Sequence, residues 1–138
     1  MKLQVINGVN LNLLGEREPG FYGNKTLSDI NAEIAAFCKS RGVEVEFYQS
    51  NIEGEICEKI QTAKCDGIIL NAGAYSHYSI AIRDAITASR KKVVEVHISN
   101  VFAREEFRHT SVIAPVCAGL ITGFKEKSYL LAVESFLV

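Results

Sequence analysis

The chain has 138 residues, 48% of them hydrophobic, and a formal net charge of -1 at pH 7. That length carries one domain, residues 1–138, with a substantial core. The near-neutral balance excludes the broad basic surface that would make nucleic acid a main partner.

Lys2 to Asn7 reads as the first strand, a nearly continuous apolar run suited to the middle of a parallel sheet. Gly8 to Lys25 follows, rich in Gly and Asn and too long for a simple turn; loops of this kind carry function. Thr26 caps a helix with Asp29 in its first turn, Leu27, Ile30, Ile34, Phe37 and Cys38 form its apolar face, and Gly42 closes it. Val43 to Tyr48 is a second strand whose alternating glutamates place it at a sheet edge. Ile52, Ile56, Ile60 and Ala63 mark a second helix, Gly67 to Leu70 a short apolar strand, and Ser76 to Ser89 a third helix. Lys92 to Val96 is a fourth strand and Ala114 to Ile121 a fifth. Tyr129, Leu130, Val133, Phe136 and Leu137 give the inner face of a last helix.

Strands alternating with helices imply an α/β fold with a parallel sheet covered on both faces. At this size the expectation is a flavodoxin-like three-layer sandwich with five strands in the order 2-1-3-4-5. The crevice of such a sheet lies at the carboxyl ends of strands one, three and four. The cysteines Cys38, Cys57, Cys65 and Cys117 show no CxxC pair and read as buried reduced thiols. With neither a signal-like stretch nor a membrane-length apolar run, the expectation is a cytoplasmic protein with no membrane partner.

The residues able to do chemistry fall in that crevice. Glu95 lies two before His97, on the same strand face, where a carboxylate can hold one ring nitrogen and leave the other for proton transfer. Arg104 and Arg108, four apart, have the spacing of neighbours on a helix face. In the long loop Arg17 precedes Tyr22 by five residues. Two readings stand for that loop: a solvated surface segment, or a lid carrying a tyrosine base. A phenol has a pKa of about 10, and one nearby cation lowers an acid by roughly one to three. A tyrosine base would therefore need a second cation, and Arg104 is the candidate. His77 is either a surface residue or a donor to substrate hydroxyls, and His109 reads as solvated. Three histidines without HxxxH or HxH spacing speak against a metal site. Asn71-Ala72-Gly73 could cradle a phosphate at a helix N-terminus, but GxGxxG and GxxxxGK[ST] are both missing.

Taken together, Gly8-Val9-Asn10-Leu11-Asn12-Leu13-Leu14-Gly15, Arg17-Glu18-Pro19, Tyr22-Gly23, Asn71-Ala72-Gly73-Ala74-Tyr75-Ser76-His77, Ala81-Ile82-Arg83-Asp84-Ala85 and Glu95-Val96-His97-Ile98-Ser99-Asn100 resemble the type II 3-dehydroquinate dehydratases. The resemblance covers nearly the whole chain, in the family's order. It implies dehydration of 3-dehydroquinate to 3-dehydroshikimate in the shikimate pathway, without cofactor or metal. It further implies Tyr22 as base with Arg17 beside it, and Asn10 holding a water on an enolate oxygen. His97, oriented by Glu95, is the general acid. Ile98 and Ser99 take the substrate carboxylate, Asn71, His77 and Arg108 take its other oxygens, and Arg104 supports the tyrosine. The implied assembly is a homododecamer of four trimers, in which Asp84 reaches a neighbouring subunit's site. Val9 stands where the family usually has proline. Gly123 to Tyr129 lacks the family's usual glycines, a variation expected to lie away from the catalytic residues. A second class of function stays open on the residues alone: a flavodoxin-like module binding a nucleotide or acidic ligand through Arg104 and Arg108.

Overall fold

The computed structural model describes residues 1–138. The apolar runs become strands β1 (Lys2–Asn7), β2 (Glu44–Gln49), β3 (Gly67–Asn71), β4 (Val93–His97) and β5 (Gly119–Thr122) of one sheet. Their order is β2-β1-β3-β4-β5, and every neighbouring pair runs parallel. The expected flavodoxin-like order is therefore the observed one. A single turn of helix, α1 (Pro19–Tyr22), precedes four longer helices: α2 (Leu27–Ser40), α3 (Glu53–Thr62), α4 (Ile80–Ser89) and α5 (Lys127–Leu137).

Strand alternation divides the core into two layers. Leu3, Val5, Ile69, Val94 and Val96 pack with Ile30, Ile34 and Cys38 of α2 and with Tyr129, Ala132 and Val133 of α5. Ile6, Ile68, Leu70 and Val93 pack with Ile56 and Ile60 of α3 and with Ile82, Ala85 and Ile86 of α4. Each fully buried isoleucine or leucine contributes about 1.5–3 kcal/mol, so the sheet faces supply most of the driving force. Because Val93 belongs to the second layer, Glu95 and His97 face that way too, sharing its strand parity.

Local signals hold α2 at both ends. Thr26 and Asp29 form a reciprocal capping box. At the other end Gly42 (φ 68°) turns left-handed, while Val43 N–H donates to Cys38 O and Gly42 N–H to Lys39 O.

Several boundaries differ from expectation. The fifth strand begins at Gly119, not Ala114, because Ala114–Val116 forms a 3-10 turn around Pro115, which has no N–H for a ladder. The third helix is two pieces, a 3-10 segment Gly73–His77 and then α4, which starts after Ser79 accepts the Ile82 N–H. Asp84 is thus not on one helix with His77. Arg104 follows a 3-10 turn (Val101–Ala103) and Arg108 sits in another (Glu106–His109), so no single helix carries both. Leu137 is 40% exposed and Ile52 is also exposed, whereas Ser128 and Ala132 complete the inner face of α5. Cys38 alone is fully buried; Cys57, Cys65 and Cys117 are partly so.

Candidate active site

A cavity of about 100 Å³ opens at the carboxyl ends of β1, β3 and β4, the switch region of this strand order. Each strand passes its next residues into the wall: Val9, Asn10 and Leu11 after β1, Gly73 and Ala74 after β3, Ile98 and Ser99 after β4. The first two connections touch backbone to backbone. A Cβ on Gly8 would meet Ala72 O at 2.4 Å, and one on Gly73 (φ 64°) would meet Val9 O at 2.7 Å. Only glycine fits either crossing.

The long loop is neither solvated nor open at Tyr22, which is 9% exposed. The Tyr22 hydroxyl lies 2.6 Å from Arg104 Nη1 and 3.2 Å from Arg17 Nη2. Arg17 also stacks over the ring, 4.5 Å from its centroid. Arg104, its side chain 3% exposed, reaches Ser99 Oγ at 3.3 Å and Glu18 Oε2 at 3.1 Å. Two guanidinium groups on one phenol oxygen stabilise negative charge there.

On β4, Glu95 is fully buried and His97 nearly so. His97 Nε2 meets Glu95 Oε2 at 2.5 Å. A carboxylate accepts, so Nε2 carries the proton and Nδ1 remains for other partners. Ser111 Oγ donates to the same carboxylate, 2.8 Å and 2.9 Å from its two oxygens. His77 stacks on His97 with ring centroids 6.2 Å apart. His77 Nδ1 lies 2.8 Å from Thr110 O, so it is the protonated nitrogen and Nε2 is an acceptor. Burial, with His97 and Arg108 nearby, holds His77 below its ordinary value against the pull of the Thr110 carbonyl. Burial pushes the Cys117 thiol up to about 12, with the Glu95 charge adding to it, which disfavours the thiolate.

The floor is polar as well. Asn71 and Asn7 are register partners on β3 and β1. The Tyr129 hydroxyl joins them, accepting from Asn71 Nδ2 at 2.9 Å and donating to Asn7 Oδ1 at 2.5 Å. Gly73 N–H donates to Asn71 Oδ1 at 3.1 Å. Tyr129 has no exposure, and burial raises its pKa. The segment before the last helix, expected to lie away from the site, thus leads directly to a residue that supports it. Asn10, left-handed at φ 68°, is held through its N–H by Asn51 Oδ1 at 2.9 Å.

Of the residues singled out in the sequence, Asn10, Arg17, Tyr22, Asn71, His77, His97, Ile98, Ser99, Arg104 and Arg108 line the cavity. Glu95 stands behind His97. Asp84 is exposed on α4 and does not line the cavity. Ser111, Tyr129, Asn7, Asn51 and Thr110 were missed. Asn7 and Asn71 carried a usable signal, since polar groups ending buried strands must find partners. Three arginines in the wall make a cavity for an anion. No group of three His, Cys, Asp or Glu side chains is placed to hold a metal ion.

Known proteins resemble this chain over nearly its whole length. The family described as "Dehydroquinase class II" matches residues 1–137. A 3-dehydroquinate dehydratase of a Nitratiruptor species is 58% identical over 96% of this chain and 86% of its own. Another, from Caldicellulosiruptor bescii, is 57% identical over 95% of this chain and 92% of its own. The crystal structure of a type II dehydroquinase from Butyrivibrio crossotus superposes with a TM-score of 0.97 at 51% identity, covering 100% of this chain and 98% of that one.

Proposed function

The chain belongs to the class II dehydroquinase family and dehydrates 3-dehydroquinate, a hydro-lyase reaction of the shikimate pathway; from that premise we propose that Tyr22 is the base and His97 the general acid. The substrate is a ketone with its leaving hydroxyl β to the carbonyl. Tyr22, as phenolate between Arg17 and Arg104, takes the α-proton, and the C–H electron pair moves into an enolate. Asn10 holds a water against the enolate oxygen, where a fixed dipole stabilises charge with little reorganisation. The enolate then collapses, the C–O bond breaks, and His97, as an imidazolium held by Glu95, gives its proton to the departing hydroxyl. The products are 3-dehydroshikimate and water. The substrate carboxylate sits on Ile98 and Ser99, and its other oxygens meet Asn71, His77 and Arg108. Closure of the loop carrying Arg17 excludes water as the substrate docks.

The observation that carries this reading is the pair of guanidinium contacts on the Tyr22 oxygen, 2.6 Å and 3.2 Å, in the same cavity as His97. The test follows the absorbance of the conjugated enone product. The chain is expected to form it from 3-dehydroquinate, and Tyr22→Phe to bind ligand yet lose turnover. Normal turnover by the phenylalanine variant overturns the base assignment.

The assembly we propose is the homododecamer of four trimers, with Asp84 of one subunit completing a neighbour's cavity. Its exposed position outside its own cavity suits that role. Asp84→Ala is expected to weaken ligand binding or trimer stability, and sedimentation of a fully active monomer at assay concentration would refute the shared site. No helix is long and apolar enough to cross a membrane. Four unpaired cysteines suit the reducing cytoplasm, where we place the enzyme.

A further inference from the structure

We propose that Ser111 is a positioning residue for the acid, fixing the Glu95 carboxylate so that the carboxylate fixes His97; this rests on the reading of His97 given above. Glu95 has no contact with solvent, and its hydrogen-bond partners are the His97 ring and the Ser111 hydroxyl. A serine hydroxyl has one proton and two lone pairs. Ala114 N–H, 3.1 Å away, donates to Ser111 Oγ. The hydroxyl therefore already accepts from the backbone, and its proton goes to the carboxylate, shared between the two oxygens. With both its partners in place, the carboxylate plane is set before any substrate arrives.

The segment that carries Ser111 is itself pinned. Thr110 O holds His77 Nδ1 at 2.8 Å, and Val112 O accepts from Arg83 Nη1 at 3.1 Å. Val112 N–H donates to Ser76 O at 2.9 Å. Three consecutive residues thus tie down one histidine, the carboxylate behind the other, and helix α4. The two rings stack within 13° of parallel, and this segment fixes both. Without the Ser111 hydroxyl the carboxylate keeps one partner and can rotate about it. His97 then loses the direction of its proton, while the groups assigned to substrate binding remain.

Ser111→Ala is expected to lower kcat about tenfold, the size of a lost hydrogen bond to a charged group, with KM changed by about twofold or less. Exchange of the substrate α-proton with solvent, which needs Tyr22 and not His97, is expected to stay near the wild-type rate. Ser111→Thr keeps the hydroxyl and is expected to recover most of the turnover. A purely structural serine would lower the melting temperature and leave kcat unchanged well below it; that result overturns the proposal. So does an alanine variant that loses exchange and dehydration equally, or a threonine variant as slow as the alanine one. If Ser111→Ala does not fold, Ser111→Cys, close in size and a weak donor, carries the same measurements. His97→Ala, measured alongside, separates the two ideas. Normal dehydration by it removes the acid assignment, whereas a dead His97→Ala beside a normal Ser111→Ala removes the Ser111 role alone.

Discussion

On the Tyr22 side of the cavity the phenol oxygen is held by two side chains, 5 and 82 residues away in the chain and neither of them on a strand. On the His97 side the carboxylate and ring are two residues apart on β4 and fully or nearly buried. The first arrangement forms when a loop docks, and its outer member, Glu18, is half exposed. The second is built once the sheet has formed. Long-range loop contacts open at lower cost than strand contacts, so on the roles proposed above the base side is expected to yield as substrate enters and the acid side to stay fixed.

The largest expected effects separate the two sides by chemistry. Tyr22→Phe removes the proposed base and is expected to lower α-proton exchange and dehydration together, by roughly 10²- to 10⁴-fold. His97→Ala is expected to lose dehydration by a similar factor while exchange of label from deuterated water, read by mass spectrometry, continues. If both variants lose both reactions equally, the division into a base side and an acid side fails.

An intermediate effect grades the base side internally. Arg104 is the nearer cation, its side chain only 3% exposed, so Arg104→Lys, which loses the planar fork, is expected to lower kcat by roughly 10- to 100-fold. Arg17 is farther from the oxygen, and Arg17→Lys is expected to cost about threefold to tenfold. Steady-state kinetics checks the order, and a larger loss from Arg17→Lys would make the loop cation the principal partner of the phenol.

The smallest effect concerns the acid side. Burial holds the folded His77 imidazole below its ordinary value, so the unfolded chain binds the proton more readily. Stability from this group is therefore complete above the ordinary value of about 6.5 and falls as the pH drops through it toward the lower folded value. Urea unfolding at about pH 7.5 and about pH 5.5 is expected to show a decline in the wild type that His77→Gln reduces. Equal declines would mean that His77 is as easily protonated folded as unfolded.

What the sequence made legible were features whose partners lie close by in the chain. Lys2 to Asn7 was read at its observed bounds, the Thr26–Asp29 cap spans one turn, and Glu95 and His97 share a strand face. Arg104 was found through a chemical need, a second cation for Tyr22. Ser111 and Tyr129 were not found, because their partners lie 16 and 58 residues away in Glu95 and Asn71. Nothing in a serine after a threonine, or in a tyrosine on an apolar helix face, states which carboxylate or amide it will meet. The apolar residues around Pro115 read as strand in the sequence, whereas the proline, with no N–H for a ladder, puts them in a 3-10 turn.

The Tyr129 bridge also bears on how the protein is made. Synthesis runs from β1 to α5, so Asn7 waits 122 residues for the hydroxyl that satisfies it. Until α5 docks, two buried amides under the cavity lack their shared partner, and a nascent chain with all five strands paired still carries an unfinished floor. Completion of the site thus comes with the last helix, and a half-made chain on the ribosome has no competent cavity to expose.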